Sequence, residues 1–321
     1  MRAARGFALL LVVIVLLALP LLLATYPITL ASRVLGFALL VVSVDLLTGL
    51  TGLPTLGQVA YFGIGAYTAG LVGIHWTTNL LAQLSAGVAV AVFAALVTGA
   101  VAVRTSGIVF LMVTLAIGEL THRLADGMDL VGASNGLAGI PAPTLTPGGA
   151  PLLLAAYTYW WVLGVFLVGM LIAVTVARSP LGRSMRAVRE SPSRVGAIGQ
   201  STYSVKLFAY VVAGGLAGAA GTAFTAQTRF VAPGDIAFAV SAIALLSVVL
   251  GGAGTLWGPV LGAAIVILVR DWLSGYVAGH GELMLGVLFV VAVFLLPRGL
   301  AGLVPRLPHR GPTRRPAGAA G

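Results

Sequence analysis

The 321-residue chain is strongly apolar, with 59% hydrophobic residues, 8% charged residues and a mean hydropathy of +1.08. Soluble domains carry about 25% charged residues, so this composition excludes an ordinary globular protein and indicates a polytopic membrane protein. The net charge of +10 does not indicate a nucleic-acid binder, because the basic residues stand at the ends of apolar runs. The lack of cysteine and the scattered histidines exclude a disulfide framework and a metal-ligand spacing.

The apolar runs predict an all-α protein with about eight to ten membrane-spanning helices, since a bilayer requires ~20 residues for each. After a basic N-terminus at 1–6, the run 7–25 is long enough for an uncleaved first helix. The second span contains Asp45 and leads into a glycine-rich break, LTGLTGLPTLGQ at 47–58. From the second onward, the predicted spans are 28–50, 59–76, 82–103, 107–120, 152–176, 207–226, 236–250, 258–273 and 283–296.

Three basic clusters predict the orientation of the chain. They hold 13 of the 18 basic residues and lie at the N-terminus, in the polar segment 178–206 and in the tail 298–321. With six spans before the central segment and four after it, all three clusters fall on one face, which the positive-inside rule makes cytoplasmic. The irregular, Gly- and Pro-rich segment 121–151 is then external. We expect a transmembrane domain at 7–297 and a disordered basic tail bound to membrane lipid.

Asp45 is an ionisable residue inside a predicted span, beside the break. Such residues usually face a cavity or a polar partner, so one interpretation places Asp45 on a translocation path. It could equally cap the helix after the break, or pair with Arg33 or Arg104. On the first interpretation, the path comprises Asp45 and polar or small residues of the break. These residues are Asp45, Gly49, Thr51, Thr55, Gly57 and Gln58.

Small residues predict where helices approach one another. Gly214, Gly218 and Gly221 recur on one face of the span 207–226 with GxxxG spacing, which is typical of a helix-packing seam. Gly- and Pro-rich breaks around Pro54 and Pro259 occur once in each half of the chain, a pattern of discontinuous transporter helices. Tight packing alone would also require glycine at these breaks.

The source of energy for transport must lie outside this chain or in an ion gradient. The single lysine, Lys206, is followed by Leu207, so the chain holds no Walker A motif for a nucleotide. Gradient-driven carriers commonly hold several ionisable residues in their spans, and here Asp45 and Glu119 are the candidates. This scarcity favours a partner subunit that hydrolyses the nucleotide.

The segment RSPLGRSMRAVRESPSRVGAIGQSTYSVK at 178–206 resembles the cytoplasmic loop of branched-chain amino acid permeases of the ABC importer class, in particular the LivM-like subunit. Three further stretches agree with this family in order along the chain, the last of them in two parts. They are LTGLTGLPTLGQVAYFGIGAYTAG at 47–70, RTSGIVFLMVTLAIGEL with SNGLAGIP between 104 and 141, VVLGGAGTLWGPVLGA at 248–263 and FLLPRGLAGL at 294–303. The sequence departs from the family at Thr55 and Gln58, where serine and histidine are common.

The resemblance implies a permease without catalysis or cofactor of its own, in the inner membrane. Its implied partners are a second permease subunit in a heterodimer, two cytosolic ATP-binding subunits and an external substrate-binding protein. From the residues alone, Gly182, Pro192, Gly196 and Gly199 divide the central segment into short helices, an amphipathic one at 183–190 and a second at 195–198, whose apolar Met185, Val188 and Ile198 would face a cytosolic partner. A basic loop held by anionic lipid is the alternative. The resemblance implies that this segment couples to the ATP-binding subunits. The coupling residues carried over are Gly182, Arg183, Arg186, Ala187, Arg189, Glu190, Ala197 and Gly199.

We therefore predict half of an ATP-driven import path for branched-chain amino acids. Permeases for urea or short amides carry similar motifs, so a permease of that kind is one alternative. A carrier or channel that works alone, driven by a gradient, is the other. No residues in the sequence form a motif of an intramembrane enzyme, such as HExxH or GxSxG.

Overall fold

The computed structural model describes residues 14–20, 24–145, 152, 154–276, 286 and 300. Nearly all regular structure in these ranges is helical, and the described residues contain no strand beyond two isolated bridges. This confirms the predicted all-α architecture. The tail 298–321 and the last predicted span at 283–296 lie almost wholly outside the described residues, as does most of the first span.

The described helices follow the predicted spans closely. Residues 14–20 are helical, and the first long helix, α1, widens at its end into a π-helical turn at Leu46–Thr51. The α-helices are α1 Thr25–Asp45, α2 Gln58–His75, α3 Leu80–Ala102, α4 Gly107–Gly127, α5 Ala155–Arg178, α6 Pro180–Glu190, α7 Pro192–Ala197, α8 Thr202–Thr228, α9 Phe238–Gly251 and α10 Trp257–Tyr276. Short 3₁₀ turns lie at Asp129–Val131, Ala133–Asn135 and Pro233–Ile236.

Five helices in the described part of the chain are long and apolar enough to cross a membrane. They begin with α1 and its π-helical turn and include α3, α4, α5 and α8, while α9 is a shorter apolar helix. The α1 segment is largely buried inside the protein, whereas α4 exposes most of its apolar surface. An exposed apolar surface of this kind suits contact with lipid rather than water.

The centre of the bundle is α8, which packs against α1, α2 and α3. At the glycines of α8 the neighbouring helices come so close that no side chain fits. An added Cβ would overlap with the Cβ of Ala95 at Gly214, with the Cβ of Ala91 at Gly218 and with the carbonyl oxygen of Phe62 at Gly221. These three glycines therefore lie at a contact between helix backbones.

The predicted start of the irregular external segment at Thr121 is wrong, because α4 continues to Gly127. Arg123 and Glu119, one turn apart on α4, form a salt bridge of 2.8 Å that supports this extension. The following segment is folded onto the bundle: Leu137 donates a backbone hydrogen bond of 2.7 Å to Val231, and its side chain and that of Ile140 pack against Gly70.

The two ends of the bundle differ in character. We call the end that carries α6 and α7 the basic end; α3 and α5 finish there, and α4 and α8 begin there. The opposite end, the loop end, carries 128–145 and the segment Phe230–Ile236. The helix ends thus place the central basic segment and the long loop on opposite sides.

Candidate functional site

Two helix breaks from the two halves of the chain meet at Asp45. The first break follows the π-helical turn and lasts until α2 begins at Gln58, and the second, 252–256, separates α9 from α10. The fully buried Asp45 carboxylate accepts a hydrogen bond of 2.6 Å from the Gly254 N–H group and one of 3.1 Å from the Leu256 N–H group. Asp45 therefore holds the start of α10, where free N–H groups favour an anionic acceptor.

The backbone of the second break is strained. Gly254 has a φ of +87°, and Leu256, which is not glycine, has a φ of +60°. A branched side chain at such a φ is a costly conformation that persists only when the surroundings hold it. The two hydrogen bonds that Asp45 accepts supply that restraint, because they fix the N–H group of Leu256 and that of Gly254, where glycine adopts a positive φ without strain.

Arg189, from the basic end, completes this cluster. Its guanidinium donates a hydrogen bond to the carbonyl oxygen of Gly49, in the first break. A Cβ added at Gly49 would overlap with the Asp45 carboxylate and the Gly254 backbone, so the two breaks are in direct contact there. We call Asp45, Gly49, Arg189, Gly254 and Leu256 the junction.

Helix α6 is clamped onto the bundle by its own residues. Pro180 occupies its first turn, and the Ser179 hydroxyl accepts a hydrogen bond of 3.2 Å from the Gly182 N–H group. Arg186 donates a hydrogen bond of 2.9 Å to the carbonyl oxygen of Ala177. A Cβ at Gly182 would overlap with that same carbonyl, so Gly182 lets α6 fold back against the end of α5.

Two expectations about the central segment are corrected here. Gly182 does not interrupt the segment, because it lies inside α6; the interruption comes at Ser191 and Pro192. Met185 and Val188 do not face a partner, because both are buried in this protein's own core. Amphipathic periodicity identified the helix correctly, but the surface that covers its apolar face is the end of the bundle.

The outward surface of the central segment is basic and carries two exposed large apolar side chains, Leu181 and Ile198. Ile198 is 75% exposed, and Ala197 and Gly199 beside it are exposed as well. Arg183 and Arg194 are exposed on α6 and α7, as is Glu190. Ala187 is half-buried. We call Arg183, Arg194, Ala197, Ile198 and Gly199 the connector surface.

The other residues predicted for the path are buried around the first break. The Thr51 hydroxyl donates to the Leu46 carbonyl oxygen at 3.1 Å, and the Thr55 hydroxyl accepts from the Gly57 N–H group at 3.1 Å. Gln58, at the start of α2, is 1% exposed, yet its side-chain amide makes no hydrogen bond among the described residues. An unpaired buried amide is costly, which makes Gln58 the strongest of these path candidates.

The sequence did not predict the partners of Asp45. The described structure shows neither of the proposed pairings with Arg33 and Arg104, and the helix that Asp45 holds is α10 rather than α2. Gly254 and Leu256 lie 209 and 211 residues away from Asp45. The glycine run that contains Gly254 was the available signal, but a run of this kind does not identify its partner.

The comparisons with known proteins identify the family. Residues 26–296 match the family described as "Branched-chain amino acid transport system / permease component". The chain belongs to this permease family. The match includes both breaks, the central segment and every described helix from α2 to α10, so it covers the whole junction. This permease is therefore a membrane transport subunit, as the motifs predicted.

Relatives agree with this assignment. The permease is 30% identical over 294 residues to the "High-affinity branched-chain amino acid transport system permease protein LivM" of Escherichia coli (strain K12), which covers 84% of this chain and 68% of the relative. It is also 30% identical to the LivM protein of Salmonella typhimurium, with the same coverage. The "Autoinducer 2 import system permease protein LsrC" of Salmonella choleraesuis is 29% identical over 47% of this chain and 46% of its own length. No solved structure matches the chain.

Proposed function

We propose that this permease forms half of the translocation path of an ATP-driven importer for branched-chain amino acids. Two similar proteins are named as permeases of branched-chain amino acid transport systems. The chain has no Walker A motif, so a separate subunit must hydrolyse ATP. The proposed partners are a second permease subunit, two ATP-binding subunits and an external substrate-binding protein.

The observation that carries this proposal is the connection from the connector surface to the junction. Helix α6 is held on the bundle by hydrogen bonds, and its Arg189, although exposed like Arg183, donates a hydrogen bond to the carbonyl oxygen of Gly49. A partner that engages the connector surface would therefore move α6 and the first break together. Because Asp45 joins the first break to the second, both halves of the chain would respond.

In this proposal the basic end faces the cytosol. Arginines concentrate on α6 and α7, and cytoplasmic segments of membrane proteins are enriched in basic residues. The N-terminus at 1–6 and the tail at 298–321 would lie on the same side, and the transmembrane domain would comprise 7–297. Closure of the ATP-binding subunits would pull on α6 and switch the permease between outward-open and inward-open states.

Co-purification with the ATP-binding subunits tests the docking step. Ile198→Glu places a charge in the apolar centre of the connector surface, and we expect it to reduce co-purification at least about tenfold. The matched control is Leu130→Glu, which changes a 64% exposed leucine at the loop end and should leave co-purification unchanged. Equal recovery of the subunits with both variants would contradict the docking assignment.

Reconstitution tests whether transport requires the ATP-binding subunits. Proteoliposomes that contain the complete transporter should take up labelled leucine only when ATP is present on the cytosolic side. Uptake by the isolated permease without ATP-binding subunits would instead show a carrier or channel that works alone, and it would overturn the proposal.

A further inference from the structure

A cavity of about 500 Å³ opens at the loop end, far from the connector surface. Helices α1, α8, α9 and α10 surround it, together with the segment that follows α8. Its apolar wall includes the rings of Phe37, Phe62 and Phe224. Cavities of about 300–1,000 Å³ with an apolar lining and a few polar groups are the usual sites for small ligands.

Charges of both signs line the same cavity. Arg33 and Arg270 supply two positive charges, and Asp235 and Asp271 supply two of the eight acidic residues in the whole chain. In a membrane protein with so few charged residues, such a concentration is expensive and indicates a function. Among the residues that the structure describes, the one salt bridge is that between Glu119 and Arg123, so Arg33 and Arg270 form none there.

The two carboxylates sit in different surroundings. Asp271 accepts a hydrogen bond of 2.6 Å from the Tyr26 hydroxyl, and Asp235 accepts one of 2.9 Å from the Ala232 N–H group. Burial raises the pKa of the Asp235 carboxyl above its ordinary value, and this effect exceeds the opposing effects of the Ala232 N–H group and the Arg270 charge. A cation beside Asp235 would therefore stabilise its ionised form.

We infer that this cavity is an outer subsite for a zwitterion with an apolar side chain, such as a free branched-chain amino acid. Arg33 and Arg270 bind the carboxylate, Asp235 binds the ammonium group, and the side chain packs against the phenylalanine rings. A neutral solute such as urea has neither a carboxylate nor an ammonium group to pair with these charges, and it has no apolar side chain to pack against the rings. This inference rests on the proposed transport of amino acids and adds the residues that would recognise them.

Direct binding tests the subsite without the external binding protein, which would add its own selectivity. The permease, assembled with its second permease subunit and ATP-binding subunits in nanodiscs, is titrated with labelled leucine. We expect labelled leucine to bind. Leucinamide lacks the carboxylate and 4-methylpentanoate lacks the ammonium group, so each should displace labelled leucine at least about tenfold more weakly than unlabelled leucine does. Competition by all three compounds at equal concentrations, or no leucine binding, would overturn the inference.

Substitutions assign the two charges. Asp235→Asn should weaken leucine binding at least about tenfold and remove the preference for leucine over 4-methylpentanoate, whereas Arg33→Gln should remove the preference over leucinamide. Glu119→Gln, at a carboxylate that does not line the cavity, is the matched control and should change neither. If the Asp235→Asn and Arg33→Gln variants still assemble with their partners but keep the preference for leucine over both analogues, the inference is overturned.

A phospholipid headgroup with an ammonium group offers similar chemistry, so the titration is repeated in two lipids. Leucine binding and its dependence on Asp235 should be the same in nanodiscs of phosphatidylglycerol and of phosphatidylethanolamine. If leucine bound strongly only in phosphatidylglycerol, phosphatidylethanolamine would be competing with it for the cavity. That result would assign the cavity to the lipid and contradict the inference. ATP-dependent uptake by the same preparation reports separately on the proposed function.

Discussion

The guanidinium of Arg189 donates a hydrogen bond to the carbonyl oxygen of Gly49, 140 residues earlier in the chain. The stem of Arg189 also packs against Gly52, where an added Cβ would lie 2.7 Å from its Cγ. One side chain of α6 thus contacts two positions of the first helix break. Since Gly49 in turn touches Asp45 and Gly254, Arg189 links the basic end of the permease to both breaks.

Asp45→Ala should lower stability and transport together. It leaves the N–H groups of Gly254 and Leu256 without their acceptor in a buried site, at about 1–3 kcal/mol for each unpaired group. The measurements are thermal unfolding of the purified permease and leucine uptake normalised to its abundance. Asp126→Ala, which removes an exposed carboxylate at the end of α4, is the control. Normal stability with lost uptake would instead mean that Asp45 contacts the substrate.

Gly221→Ala should destabilise the bundle by about 1–3 kcal/mol, the usual cost of overpacking. The new methyl group would overlap with the carbonyl oxygen of Phe62, which belongs to the backbone of α2 and cannot rotate away. Gly164→Ala on α5 is the control, because its added Cβ meets nothing within 4 Å. Thermal unfolding compares the two variants. A Gly221→Ala protein as stable as the control would show that α2 and α8 tolerate a wider separation.

Gln58→Leu should retain stability but lower leucine uptake at least about tenfold. The buried Gln58 amide makes no hydrogen bond among the described residues, so an apolar side chain of similar size removes an unfavourable group. We expect uptake to fall because this amide would serve a transported solute or its water during the cycle. Full uptake with Gln58→Leu would remove Gln58 from the path.

Gln83→Leu provides the matched contrast. Gln83 is buried like Gln58, at 3% exposed against 1%, but the Gln83 amide donates a hydrogen bond of 3.2 Å to the Thr77 carbonyl oxygen. Its replacement should lower the unfolding temperature while uptake per folded permease stays normal. These results would identify Gln58 as a path residue and Gln83 as a structural one.

The sequence predicted the order and approximate bounds of the described helices, because apolar runs and glycine or proline breaks are local signals. It also predicted two short helices in the central segment, and the structure has them, although each begins three residues before the predicted start, at Pro180 and Pro192. The continuation of α4 to Gly127 was missed, because the apolar run ends at Leu120, although Arg123, Leu124 and Ala125 beyond it favour a helix.

Contacts between distant segments could not be predicted in the same way. Periodicity shows that Met185 and Val188 share a face of α6, but it does not show whether this protein or a partner covers that face. Asp45 carries no local mark of its bond to Gly254, and Arg33, Asp235 and Arg270 come together at one cavity only through the packing of several helices. These relationships depend on tertiary structure alone.

The most direct test of the coupling role is the amount of leucine imported per ATP hydrolysed by the complete transporter in proteoliposomes. Arg189→Met keeps an apolar stem but removes the charge and the hydrogen bond to Gly49, while Arg178→Met changes an exposed arginine at the end of α5 that belongs to neither the junction nor the connector surface. We predict that Arg189→Met still assembles and hydrolyses ATP but imports about fivefold less leucine per ATP, and that Arg178→Met matches the unmodified transporter. Equal import per ATP in all three would contradict the link between α6 and the junction.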